Sequence, residues 1–174
     1  MKPWVRFPDS AGIKWSPQLN ELEYQQNLFL DGFSKETSSD PDNWTPDDPT
    51  RGNCAVAALS AWDFYGGEIL RASLEKVPGY EGMRSHYWNR LPSGLEVDFT
   101  ADQFKGKARD LVPRGEVRTR KYLLENPKTK ARYELLKSVL DSSLKSADSL
   151  EHLKDNSQLR ASLFQSPEDS CNGQ

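Results

Sequence analysis

The chain is short of the residues that staple small folds and hold metal ions: 2 cysteines, 2 histidines and 2 methionines among 174 residues. Cys54, before an Ala-rich stretch, and Cys171, in a polar tail, sit in settings too different for a disulfide framework, which makes a reducing, cytoplasmic location the expectation. No ligand cluster with metal-binding spacing is visible, and neither a metal nor an organic cofactor is expected. No apolar run approaches the roughly 18 residues that a membrane helix needs. The opening "MKPWVRFPDSAG" also lacks the apolar core of a signal peptide, so no membrane association is expected. Zinc-finger spacing, RNP-like aromatic patterns and a helix-turn-helix are absent too, which argues against nucleic acid as a partner. No internal repeat occurs, and nothing sets an oligomeric state.

What is present is a polar chain, 36% hydrophobic and 28% charged, long enough for one domain with a proper core. The net charge of −3 conceals an uneven distribution. Residues 105–137 carry eleven Lys/Arg against four Asp/Glu, whereas residues 1–100 carry nine against fifteen. Such a segment attracts anionic surfaces, or it is a solvated helix face beside an acidic body.

Leu19, Leu22, Leu28 and Phe29 recur at near-helical spacing and predict a helix to about residue 30. "SKETSSDPDNWTPDDPTRGN" is a long loop, and Trp44 within it predicts that part of it packs down. "CAVAALSAWDFYG" reads as a buried helix with Asn53 as its cap and Gly66–Gly67 as its stop. In residues 81–99, "HYWNRL" and "LEVDFT" flank the turn-forming "PSG" and predict a hairpin. Thr100 resembles a helix start. Tyr133, Leu136, Leu140 and Leu144 form the apolar stripe of an amphipathic helix. The last residues are read as a disordered tail with Cys171 exposed. The expected division is an N-terminal extension over 1–43, a core over 44–145 and a tail over 146–174.

One set of positions carries chemistry. Cys54 falls in the first turn of a buried helix, where the helix dipole favours a thiolate. His86 lies on one strand of the hairpin and Asp98 on the other. A facing histidine can exchange a proton with the thiol, and an aspartate on the paired strand can orient the ring. The Cys54 backbone N–H supplies half of an oxyanion hole. Asn53, Thr50 and Trp44 are candidates for the rest, and Tyr87 and Trp88 flank the histidine as substrate contacts.

The order Cys, His, Asp on helix, strand and strand resembles the papain-like and transglutaminase-like cysteine enzymes. "HYWN" followed by "LEVDFT" is similar to their pattern of a histidine strand and an Asp-x-Thr strand. The nearer resemblance is to the YunG-like family of small bacterial proteins, through "NWTPDDPTRGNCAVAALSAWDFYGGEIL", "HYWNRLPSGLEVDFTADQF" and "ARYELLK", over about residues 44–137. Asn53 stands where that pattern leads one to expect glutamine. The resemblance implies a single α+β domain of papain-like type, with a helix packed on a small antiparallel sheet and a C-terminal amphipathic helix. It also implies nucleophile, base and orienter roles for Cys54, His86 and Asp98. The expected activity is attack on an amide, ester or thioester carbonyl through an acyl-enzyme, by a hydrolase, deamidase or transamidase. The alternative is a catalytically silent papain-like module that contacts a protein or nucleic acid through residues 105–137.

Overall fold

The computed structural model describes residues 4–6, 16–17, 20–80, 82–104, 110 and 112–146. Among these residues it is an α+β arrangement of six strands and four α-helices. In chain order these are β1 (Trp4–Arg6), β2 (Ser16–Pro17), α1 (Asn20–Gly32), α2 (Cys54–Tyr65), β3 (Glu68–Ser73), β4 (Ser85–Arg90), β5 (Glu96–Asp98), a 3-10 turn (Ala101–Gln103), β6 (Glu116–Arg118), α3 (Arg120–Leu124) and α4 (Pro127–Ser146). The strands form one antiparallel sheet in the order β2-β1-β5-β4-β3-β6.

Strand alternation sorts the sheet into two faces. Val5, Ile69 and Val97 join the cluster built with Val56, Ala57, Leu59 and Ala61 of α2, Phe29 of α1 and Leu136 and Leu140 of α4. Leu70, Ala72 and Trp88 join the opposite cluster, with Leu74, Val77, Phe104 and Val112 from connecting segments. One face is therefore covered by helices and the other by loops. β4 is sealed on both sides: the Asn89 amide reaches the Ala58 carbonyl of α2 at 3.0 Å, while Trp88 donates to Glu96 on the other face at 2.9 Å.

The helix over 54–65 and its glycine stop lie where the sequence puts them. Gly66 and Gly67 take φ of 70° and 77°, and a Cβ on Gly67 would meet the Arg90 carbonyl at 2.2 Å. The hairpin is present, with Asn89 opposite Val97 and Arg90 opposite Glu96. Thr100 precedes a short 3-10 turn rather than an α-helix, and its hydroxyl is drawn to Asp98 rather than used as a cap.

The expected division at residue 43 has no counterpart in the packing. Leu22, Leu28, Phe29 and Phe33 are buried in the main cluster, and β1 pairs with β5, so β1, α1 and the start of the following loop help build the core. Of the segment 105–137, residues 105–109 and 111 lie outside the described residues. Arg120 is tied to Asp63 at 3.1 Å and to the Tyr133 hydroxyl at 2.8 Å, joining α3 and α4 to α2. The expected tail and Cys171 lie outside the described residues.

Candidate functional site

The loop before α2 is organised to deliver Cys54. The Ser38 hydroxyl donates to the Arg51 carbonyl at 2.7 Å, the Ser39 N–H donates to the Gly52 carbonyl at 2.9 Å, and Arg51 pairs with Asp40 at 2.8 Å. Gly52 has φ of 70°, and a Cβ there would lie 2.4 Å from the Ser38 hydroxyl, so the chain can turn into the helix here only as glycine. Asn53 occupies the cap position but caps nothing. Its amide nitrogen donates to the Pro49 and Arg51 carbonyls at 2.9 and 3.4 Å.

Cys54 follows, buried at 5% exposure, with its thiol directed at the Ser85 carbonyl at 4.0 Å. Burial pushes the thiol up to about 11, and the charge of Asp98 adds to that rise. The N–H groups of Tyr87 and Ala55 beside the sulfur pull the other way without overcoming it. The site holds a neutral thiol at neutral pH.

His86 and Asp98 meet as the hairpin predicts: Nε2 lies 2.6 Å from the carboxylate, and both side chains are fully buried. The other carboxylate oxygen accepts from the Thr100 N–H at 2.9 Å and from its hydroxyl at 3.1 Å. The second ring nitrogen, Nδ1, lies 3.2 Å from the Gln103 amide nitrogen. That amide also donates to the Thr100 carbonyl at 2.9 Å, which fixes which end of the amide is nitrogen. Nδ1 is therefore an acceptor and Nε2 carries the proton. The ring packs edge-on against Phe104 at 4.7 Å and stacks on Trp88 at 5.7 Å.

These two halves do not join. His86 and Trp88 leave β4 on the loop-covered face, while Tyr87 and Asn89 leave on the face that carries α2. The Cys54 sulfur rests on the backbone of Ser85 and Tyr87, not on the His86 ring. The expected contact between thiol and imidazole is corrected here, because the alternation that unites His86 with Asp98 directs both away from α2. Trp88 is turned to the same loop-covered side and buried. Thr50 and Asn53 are fully buried in the loop before α2, and Trp44 closes on that loop through the Pro49 carbonyl at 3.0 Å.

Of the residues singled out from sequence, Cys54 and Tyr87 line an open polar cleft of about 520 Å³. Its other walls come from Asp40, Asn43 and Arg51 of the loop, Tyr80, Met83 and Arg84 before β4, and Asn126, Thr129 and Arg132 at the start of α4. The sequence reading missed Gln103, although "TADQF" places an amide one short turn after Asp98. It missed Arg84 and Arg132 as well, since arginines in polar segments look like ordinary solvated positions. Among the described residues no cluster of three or more His, Cys, Asp and Glu could hold a metal. None of the described helices is long and apolar enough to cross a membrane.

A single antiparallel sheet, helical on one face and with a buried cysteine at a helix N-terminus beside a polar cleft, defines the class of protein at hand. The family model for the YunG protein matches residues 21–145, and the chain belongs to that family. It is 29% identical over 84 residues to the uncharacterised protein YunG of Bacillus subtilis (strain 168), an alignment covering 48% of this chain and 64% of that protein. No solved structure matches. The papain-like likeness therefore stands on sequence motifs alone.

Proposed function

We propose that this protein is a ligand-binding module whose cleft has Cys54 as a neutral floor, rather than a thiol catalyst. One observation carries this reading: the sulfur lies against the β4 backbone while the His86 ring is held on the other face by Asp98 and Gln103. A general base must reach the proton that it removes, and a lone pair already accepting from Gln103 is not available for that. The remaining thiol is raised by burial, opposite to what a nucleophile requires. The cleft, by contrast, has the volume of small-molecule sites and several convergent polar groups.

The cysteine acyl-transfer reading keeps one supporting feature. The sulfur sits at the mouth of a helix, where nearby backbone N–H groups lower its proton affinity, an arrangement that would also stabilise a thiolate or an oxyanion. For catalysis the His86 ring would have to leave Gln103 and cross the sheet.

Iodoacetamide alkylation against pH, read by intact mass in a Cys171→Ser background, separates the two. A binding module alkylates Cys54 slowly until the pH approaches about 11, where its thiol ionises. Fast alkylation at about pH 6, lost in His86→Ala, would overturn the proposal and restore the catalytic one.

A further inference from the structure

Among the described residues that line it, the cleft's charge is not balanced from within: Arg51, Arg84 and Arg132 are cationic and Asp40 alone is anionic. Asp40 is committed to Arg51 at 2.8 Å. Arg84 and Arg132 enter no ion pair with a described residue.

Arg132 is the telling one. It projects from the first turns of α4, and its guanidinium makes a single 3.2 Å bond to the Thr129 hydroxyl. Its Nε is buried with no partner. Burial lowers its proton affinity. A half-buried guanidinium without a carboxylate costs the fold desolvation energy that no internal bond returns. The uncapped start of α2 faces the same space, with Ala55 in the cleft wall and Asn53 turned away to carbonyls of the loop. A helix start in that state presents N–H groups and a partial positive charge.

We infer that the cleft binds a small molecule through an oxyanion, a phosphate or a carboxylate, clamped between the Arg132 guanidinium and the first turn of α2, with Arg84 at the rim. This deepens the binding-module reading and rests on it. A planar guanidinium donates to two oxyanion oxygens at once, and the N–H groups of a helix N-terminus donate to a third. Cys54 beneath them is neutral and adds no opposing charge. The ligand's remainder lies against Tyr80 and Tyr87 and the side-chain amides of Asn43 and Asn126.

The test is a two-dimensional NMR titration of the full chain, following the backbone amides of Ala55 and Tyr87. The probes are inorganic phosphate, pyrophosphate and succinate, beside a set of neutral polar fragments at matched ionic strength. Saturable shifts with one or more of the anions are expected, weakened about tenfold or more in Arg132→Gln and left intact in Arg118→Gln, which lies outside the cleft. The phosphate and succinate arms tell which oxyanion is preferred. Equal anion binding by Arg132→Gln would overturn the inference. Shifts with neutral fragments but with no anion would overturn it while leaving the binding module standing. Silence of both amides towards every probe would bring down both readings.

Discussion

The two faces of β4 differ in how their polar groups are satisfied, and the difference separates what holds the fold from what is left open for a partner. On the loop-covered face, His86, Asp98, Thr100 and Gln103 form a ring of bonds between 2.6 and 3.2 Å, all from fully buried residues, which leaves the Gln103 Oε1 without a partner but answers both nitrogens of the His86 ring and both oxygens of Asp98. Beside it, Glu96 accepts from Trp88, Arg6 and Arg90. On the helical face, around Cys54, cations exceed anions among the described cleft residues, and the buried Arg132 Nε in the cleft wall goes without a partner. A closed buried network specifies one packing, whereas orphaned groups lining a cleft cost stability that only an added ligand can return.

The largest expected effect comes from breaking the closed face. Asp98→Ala leaves the His86 Nε2–H, the Thr100 N–H and the Thr100 hydroxyl buried and unanswered, and should cost about 3–5 kcal/mol in urea unfolding. Gln103→Leu should cost less, about 1–2 kcal/mol, because it mainly strands the His86 Nδ1 acceptor. If Asp98→Ala unfolds at the wild-type midpoint, the circuit is not structural and the contrast between the faces is lost.

The next effect is a pH dependence on the cleft face. The Cys54 thiol ionises near 9.0 unperturbed and near about 11 in the fold. Its folded-state affinity for the proton is the higher one, so the contribution is fully present below pH 9 and disappears as the pH rises through about 11. Wild type should therefore lose roughly 2 kcal/mol relative to Cys54→Ala between those limits, measured by chemical denaturation at stepped pH. A companion variant fixes the sign of the coupling. In a catalytic triad the aspartate sustains an imidazolium that lowers the thiol, so removing its charge would raise the thiol's ionisation. Here the charge of Asp98 raises the thiol directly, so Asp98→Asn should lower it. A shift upward would mean that His86 does communicate with Cys54.

Much of this molecule is legible in its sequence, and what is not fails for one reason. The α2 helix could be bounded because Gly66–Gly67 supplies positive φ at its end, and α4 because Tyr133, Leu136 and Leu140 repeat with the helix and are buried. The union of His86 with Asp98 follows from a hairpin and a period of two. Which face that pair occupies does not follow. "HYWNR" carries a large or polar side chain at every position, and β4 is buried on both sides, so nothing in its pattern says whether α2 lies over His86 and Trp88 or over Tyr87 and Asn89. The strands β1, β2 and β6 are three residues or fewer, too short for alternation to register. Arg132 lies in "ARYELLK" on the polar side of an amphipathic helix, where a solvated arginine is the ordinary expectation. Only the fold of the 33–53 loop, which brings Asp40 and Cys54 opposite the start of α4, turns that side into a wall.

The smallest effect is also the one whose sign tells most about the comparison. Arg132→Met keeps the long side chain and most of its packing against the cleft wall while removing the guanidinium. On the closed face, deleting a polar group strands its partners. Arg132 has none to strand beyond the Thr129 hydroxyl, which at the cleft surface can turn to water. The orphaned Nε disappears with the substitution, and so does its desolvation. Stability should be unchanged or should rise by about 0.5 kcal/mol, as is common when a residue kept for binding is replaced by one suited to the fold alone. Thermal melting in a buffer without phosphate or carboxylate checks this, because an occupied cleft would hide the gain by stabilising the wild type. A loss of about 1 kcal/mol or more would show that Arg132 braces the α4 end of the fold, and the cleft would then belong with the closed face as structure.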